Sequence, residues 1–176
     1  RIDAIDRETC EIGSRNGLTC ISSGIESVSQ ETLNHINKKL TINQAEEKIQ
    51  LMRKYNIRPM VNFIIGFPWD TEDDYAELYN FIVRNSLQKQ VRLSYLTPLP
   101  STQLFQELVD SGVIKDVFQY CIKLDNLYWQ RHINLTNMPD ALLDHHFERI
   151  TELGRRDLFN VKSPEYMRQI RGERFI

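Results

Sequence analysis

A carboxylate and two hydroxyls, Glu26, Ser27 and Ser29, fall in the stretch Gly24-Ile25-Glu26-Ser27-Val28-Ser29-Gln30, between the apolar run Leu18 to Ile21 and a segment of helical spacing. An ionised carboxylate accepts two hydrogen bonds and a vicinal diol offers two donors, so Glu26 with Ser27 suits the hydroxyls of a sugar. The same carboxylate also suits the amino end of the helix starting near Ser29, where it would act as a cap and nothing more. Lys38 and Lys39 follow at a distance that lets them hold an anionic group at the same end of a sheet, or close a solvated helix. Gly66-Phe67-Pro68-Trp69-Asp70 is a second turn that allows a backbone to approach a ligand. It lacks the second glycine and the lysine of a phosphate-cradling loop, and it reads equally as a plain strand-to-helix turn.

Other reactive residue types point away from chemistry. Asp70, Glu72, Asp73 and Asp74 crowd a helix start, where the helix dipole favours negative charge without a metal. His145 and His146 are adjacent, diverge on a helix and cannot chelate one ion; His146 falls on an apolar stripe and reads as a satisfied core residue. His35 and His132 have no partner at a ligand spacing, and no Ser-His-Asp or Cys-His set emerges. Cys10, Cys20 and Cys121 are too few and too far apart for a disulfide framework or a C-x-x-C metal pattern, and read as buried free thiols in a reducing compartment.

The elements that would position these groups are legible in order. Asp6 caps a first helix, with Ile5 and Cys10 at staple spacing, and Asn16-Gly17 ends it. Leu18 to Ile21 is too short for a helix and reads as a buried parallel strand whose loop is the Glu26 stretch. Ser29 caps a short helix bearing Leu33 and Ile36. Thr41 and Gln44 form a capping-box pair for a longer one with Ile42, Ala45, Ile49 and Met52 inward. Arg58 to Ile65 is a second strand, ending at Gly66 and Pro68. Thr71 and Asp74 repeat the capping box ahead of Tyr75, Leu78, Tyr79 and Ile82. A third strand runs from Val91 to about Leu96, and its helix spans about Ser101 to Asp110, closed by Gly112. Three strand-loop-helix units imply adjacent parallel strands with their loops at one end, where ligands of such sheets are held. Asp116 to Trp129 is helix-like or irregular and aromatic, Asn137-Met138-Pro139 opens a long helix with Leu142, Leu143, His146, Phe147, Ile150 and Leu153 inward, and Ser163-Pro164-Glu165 begins a last short one.

Composition bounds the class. With 176 residues, 41% of them hydrophobic and 26% charged, the chain holds enough apolar material for one core. Its 22 basic and 24 acidic residues are interspersed and give a net charge of -2, so nucleic acid is not indicated. No run approaches the roughly 20 apolar residues of a membrane helix, and no signal peptide is visible. The expectation is a cytoplasmic α/β protein. The opening Arg1-Ile2-Asp3-Ala4-Ile5 reads as the tail of a strand already in progress, as in a piece of a longer protein.

Gly24-Ile25-Glu26-Ser27, Leu33, Ile36-Asn37-Lys38 and Thr41 together resemble the middle of a radical S-adenosylmethionine (radical SAM) enzyme. Phe63-Ile64-Ile65-Gly66-Phe67-Pro68 followed by Thr71-Glu72-Asp73 is similar to the family's "G-[LF]-P-x-x-T-x-x-D" passage. Tyr95-Leu96-Thr97-Pro98-Leu99-Pro100-Ser101-Thr102-Gln103-Leu104 is similar to its "P-x-P-G-T-x-L" passage, with Ser101 where glycine is usual. The resemblance implies the second half of a partial (β/α)6 barrel over residues 1–112, with a mostly helical extension over 113–176. It also implies cofactor contacts: Glu26 near the ribose of S-adenosylmethionine with Ser27 beside it, Lys38 near the cofactor's carboxylate, and Ile64 and Gly66 near adenine. Asn62 and Trp69 depart from the family's pattern around that adenine stretch.

The family's C-x-x-x-C-x-x-C loop is absent from the sequence. The resemblance therefore implies that the [4Fe-4S] cluster, which reduces S-adenosylmethionine to a 5′-deoxyadenosyl radical, would be ligated in a parent protein, by an amino-terminal half that partners this chain. The wording Gly-Ile-Glu-Ser leans toward the subgroup with an upstream cobalamin domain, where methyl transfer and cyclisation both occur. The substrate is not legible, and Tyr120, Tyr128 and Trp129 read as core or pocket. The other open reading is a non-catalytic α/β domain that recruits a partner or a second copy through unpaired strand edges.

Overall fold

A computed structural model describes residues 1–124 and 130–159. It is an α/β arrangement of three parallel strands and seven helices among the described residues, consistent with a segment of a partial β/α barrel. The strands are β1 (Cys20–Glu26), β2 (Arg58–Ile65) and β3 (Val91–Tyr95), in the order β1-β2-β3. The helices are α1 (Arg7–Arg15), α2 (Gln30–His35), α3 (Ile42–Lys54), α4 (Glu72–Arg84), α5 (Gln103–Asp110), α6 (Val117–Leu124) and α7 (Asp140–Phe159).

Local chemistry explains the boundaries. Asp6 accepts from the Thr9 amide at the start of α1, and Ile5 and Cys10 are both buried as its staple. Thr41 with Gln44 and Thr71 with Asp74 form reciprocal capping boxes that start α3 and α4. Thr102 caps α5, and Gly112 at φ +73° follows its end. The opening residues, expected to be the tail of a strand, instead form a 3₁₀ turn at Ile2–Ala4 that buries Ile2 completely. The first strand also differs from expectation: it begins at Cys20 rather than Leu18 and continues through Glu26. Ser22, Ser23 and Gly24 give no apolar signal, yet they pair in register with Met60, Val61 and Asn62 of β2, and the ladder decides the length.

The sheet has one packed face. Ile25 of β1, Val61, Phe63 and Ile65 of β2, and the partly buried Val91, Leu93 and Tyr95 of β3 meet Ala45, Ile49, Met52, Leu78, Phe81 and Ile82 from α3 and α4. Phe63 and Phe81 meet edge to face at 5.9 Å. Leu143 and Ile150 of α7 join the same core, and a smaller cluster of Phe105, Ile114, Tyr120 and Leu124 lies apart from it. Tyr120 is thus a core residue, its hydroxyl donating to the Pro98 carbonyl at 2.9 Å and its pKa pushed up to about 12 by burial. Tyr128, Trp129 and the helix expected at Ser163 lie outside the described residues. Among the described residues, β1 and β3 each pair on one side only, and no helix is long and apolar enough to cross a membrane.

Candidate functional site

The carboxyl end of β1 is strained. Glu26 sits at φ +77°, in the left-handed region that side-chain-bearing residues avoid, immediately after an irregularity in the ladder between Gly24 and Glu26. Its side chain folds back over Gly24, so closely that a Cβ on Gly24 would lie 2.0 Å from Oε1. The same oxygen accepts from Lys38 Nζ at 2.8 Å, and both side chains are largely shielded, 23% and 16% exposed. Lys38 is delivered there by the end of α2, where Asn37 takes φ +53° and the Lys38 amide donates to the Leu33 carbonyl. Lys39 points to solvent. Ser27 is buried, and its hydroxyl accepts from the Ser29 amide at 3.1 Å, so it shapes the turn.

At the end of β2 the backbone turns at Gly66, φ +95°, a conformation that favours glycine. Asp70, expected among solvated acids, is 8% exposed. Its Oδ2 accepts from the Gly66 amide at 2.9 Å, the Phe67 amide at 3.0 Å and the Tyr75 hydroxyl at 2.9 Å. Burial outweighs these three bonds and pushes the carboxyl up to about 6; burial, with Asp70 beside it, also raises Tyr75 well above the ordinary phenol range. Trp69 Nε1 donates to Thr32 Oγ1 at 2.9 Å and its ring stacks on Phe67, which ties this turn to α2.

A cavity of about 630 Å³ opens on the face of the sheet opposite the core, lined by Glu26, Asn62, Ile64, Arg92, Ser94 and Leu96, with Thr97 and Leu99 beyond the end of β3. Of the five expected cofactor residues, Glu26 and Ile64 line it directly, Lys38 reaches it through its bond to Glu26, Gly66 makes the turn behind Ile64, and Ser27 is turned away. Asn62 Oδ1 is buried and accepts no hydrogen bond. Arg92 and Ser94 were not expected here; their signal was the alternation in β3, whose Val91, Leu93 and Tyr95 go to the core. The end of β3 is held by Tyr95, whose hydroxyl donates to Asp144 Oδ1 at 2.9 Å while Arg131 grips the same carboxylate through two nitrogens at 2.9 and 2.8 Å. The Arg131 bonds keep the Asp144 carboxyl below its ordinary range. A shallower groove of about 770 Å³ between α3 and α4 lies away from the strand ends, and its Glu46 carboxylate is already taken by Arg84 and Asn85.

Among the described residues no group of three His, Cys, Asp or Glu could hold a metal ion, and all three cysteines are free. Cys10 is buried as expected, whereas Cys20 and Cys121 are half-buried. His146 is buried but not satisfied: Nε2 lies 3.6 Å from Glu72 Oε2, too far for a hydrogen bond, and burial lowers its pKa despite that carboxylate.

Residues 2–82 match the radical SAM superfamily. A stretch of 104 residues is 33% identical to bacteriochlorophyllide d C-12(1)-methyltransferase of Chlorobaculum tepidum, covering 58% of this chain and 23% of that protein. Over 115 residues the chain is 32% identical to the anaerobic magnesium-protoporphyrin IX monomethyl ester cyclase of Cereibacter sphaeroides, covering 65% of this chain and 19% of the cyclase. Over 101 residues it is 32% identical to bacteriochlorophyllide d C-8(2)-methyltransferase of Chlorobaculum tepidum, covering 56% and 22%. The matched region thus spans about a quarter or less of each of these relatives' length.

Proposed function

We propose, from the premise that residues 2–82 belong to the radical SAM superfamily, that this chain supplies the nucleoside-binding part of a radical SAM enzyme of the methyltransferase or cyclase type. The observation that carries the reading is Glu26. It is a shielded carboxylate held in a strained backbone conformation at the carboxyl end of a parallel strand, at the mouth of a cavity. Strain that the rest of the structure holds in place concentrates where a ligand is gripped.

The residues present fit the organic cofactor in part. Glu26 offers one oxygen to Lys38 and keeps lone pairs on the other for the ribose hydroxyls. Lys38 sits at that carboxylate and has two further N–H donors for the cofactor's own carboxylate. Ile64 presents an apolar surface to adenine on the central strand, and the turn at Gly66 keeps the β2 backbone clear of it. The residues do not fit the iron-sulfur cluster. The three cysteines fall at positions 10, 20 and 121 and do not converge, so we assign the cluster to the remainder of a longer polypeptide whose strands continue the sheet from the open edge of β1. The chemistry such a cluster would supply from there is the electron for reductive cleavage of S-adenosylmethionine. This chain's part is to hold and orient the nucleoside. A cobalamin domain upstream fits the Gly24-Ile25-Glu26-Ser27 wording, and a cobalt assay on the same preparation decides it.

The test is made on the complete anaerobic protein, as iron content, S-adenosylmethionine binding and 5′-deoxyadenosine release, in wild type and Glu26→Gln. About four irons per chain are expected for one cluster. The Gln variant is expected to keep its iron but bind and cleave the cofactor about 10- to 100-fold less well. Binding and cleavage equal to wild type would remove Glu26 from the site; absence of iron and of cleavage in folded protein would overturn the reading as a whole.

A further inference from the structure

We propose that Arg92 reads an anionic group on the substrate, and that the cavity takes a molecule with an apolar body bearing a carboxylate. The proposal rests on the cofactor reading above for the place of the nucleoside, and it names what lies beside it.

Four observations carry it. Arg92 is the second residue of β3; its neighbours Val91 and Leu93 face the core, so the strand's alternation sends Arg92 to the cavity side. In the ladder it stands beside Asn62, which stands beside Gly24, so one row crosses the floor of the cavity with an arginine at one end and no side chain at the other. The guanidinium is exposed and makes no hydrogen bond or ion pair with any described residue. The carboxylate lining the cavity, Glu26, belongs to the far strand, two interstrand spacings or roughly 10 Å away, and is already paired with Lys38.

An arginine facing a cavity without a partner is a receptor for an anion, since its five donors are arranged to take a carboxylate through two parallel bonds and it is weakly hydrated compared with an ammonium. One guanidinium with no second free cation among the lining residues suits a singly charged carboxylate better than a phosphate ester. The rest of the lining says what the carboxylate is attached to. Ile64, Leu96 and Leu99 are apolar and call for an apolar body. Arg92 therefore selects among substrates and leaves the nucleoside contacts of Glu26 and Lys38 untouched.

The experiment uses the complete protein with two fluorescent probes of one shape, pyrene-1-butyrate and pyrene-1-butanol, titrated with and without saturating S-adenosylmethionine. Wild type is expected to prefer the acid over the alcohol by about tenfold or more, with the cofactor present as well as without it. Arg92→Gln is expected to bind the two equally, at the wild-type affinity for the alcohol, and to bind S-adenosylmethionine as wild type does. Arg92→Lys, which keeps the charge and loses the fork, is expected to fall between. Equal binding of acid and alcohol by wild type, no binding of either, or a preference that survives Arg92→Gln would overturn the proposal. Displacement of the acid by S-adenosylmethionine would overturn it too, because Arg92 would then serve the cofactor's carboxylate. If S-adenosylmethionine fails to bind at all while the acid preference stands, the cofactor reading falls and the role of Arg92 does not.

Discussion

The turns that leave β1 and β2 lie at the same end of the sheet, and each contains a carboxylate, but the two carboxylates are spent differently. Asp70 is consumed by its own loop: one oxygen closes three hydrogen bonds to Gly66, Phe67 and Tyr75, and the positive φ falls on a glycine. Glu26 does almost nothing for its own loop. The positive φ falls on Glu26 itself, Ser27 makes the turn's internal bond, and the carboxylate is held by a lysine twelve residues away. A turn whose polar atoms are internally satisfied is structural. One that places a strained, externally held carboxylate at a cavity is organised for something outside the chain.

The contrast can be broken first at Asp70. Asp70→Ala strands the buried Phe67 amide and the Tyr75 hydroxyl, while the Gly66 amide keeps the Tyr75 oxygen at 3.1 Å, and is expected to lower unfolding free energy by about 3–4 kcal/mol at pH 5. A loss below about 1 kcal/mol in chemical denaturation would mean that water satisfies the turn. Next in size is the pH dependence of the same residue. The folded protein holds the Asp70 proton up to about pH 6, whereas the unfolded chain releases it near its ordinary value. The stability this group contributes is therefore full below the ordinary value and is lost as pH rises through about 6, by about 2–3 kcal/mol in all. Denaturation midpoints of wild type should fall between pH 4 and 7 relative to those of Asp70→Asn. Parallel profiles would show that the three hydrogen bonds, and not burial, govern the group.

The smallest effect sharpens the other side. Gly24→Ala puts a methyl where the Glu26 carboxylate now rests, and the atom it meets is the free end of a side chain that can swing away. Fold stability is expected to change by less than about 0.5 kcal/mol, while affinity for S-adenosylmethionine drops about tenfold. Loss of both together would show that Gly24 serves the strand, and loss of neither would show that Glu26 need not lie where it does.

Much of this was legible where local chemistry governs. The caps at Asp6, Ser29, Thr41 and Thr71, the strand Arg58 to Ile65 and the turn at Gly66 all announce themselves through residue type at fixed spacing. The length of β1 was not legible, because Ser22, Ser23 and Gly24 are strand residues by pairing and not by propensity. Asp70 was misread for a related reason: three acids beside it are ordinary helix-start residues, and only tertiary burial separates it from them. Arg92 was overlooked because a lone arginine in a strand has no partner in sequence. Its meaning comes from Asn62 across the ladder and from the cavity that both border.

The central place of β2 has a consequence for how the chain is made. β1 is complete at residue 26, but the strand beside it ends at residue 65. At ribosomal speeds those intervening 39 or so residues take roughly 2–8 s to emerge. For that interval the β1 edge that β2 will occupy has nothing from downstream to pair with. The order of synthesis thus leaves the Glu26 strand to wait, with that edge unpaired, for its neighbour.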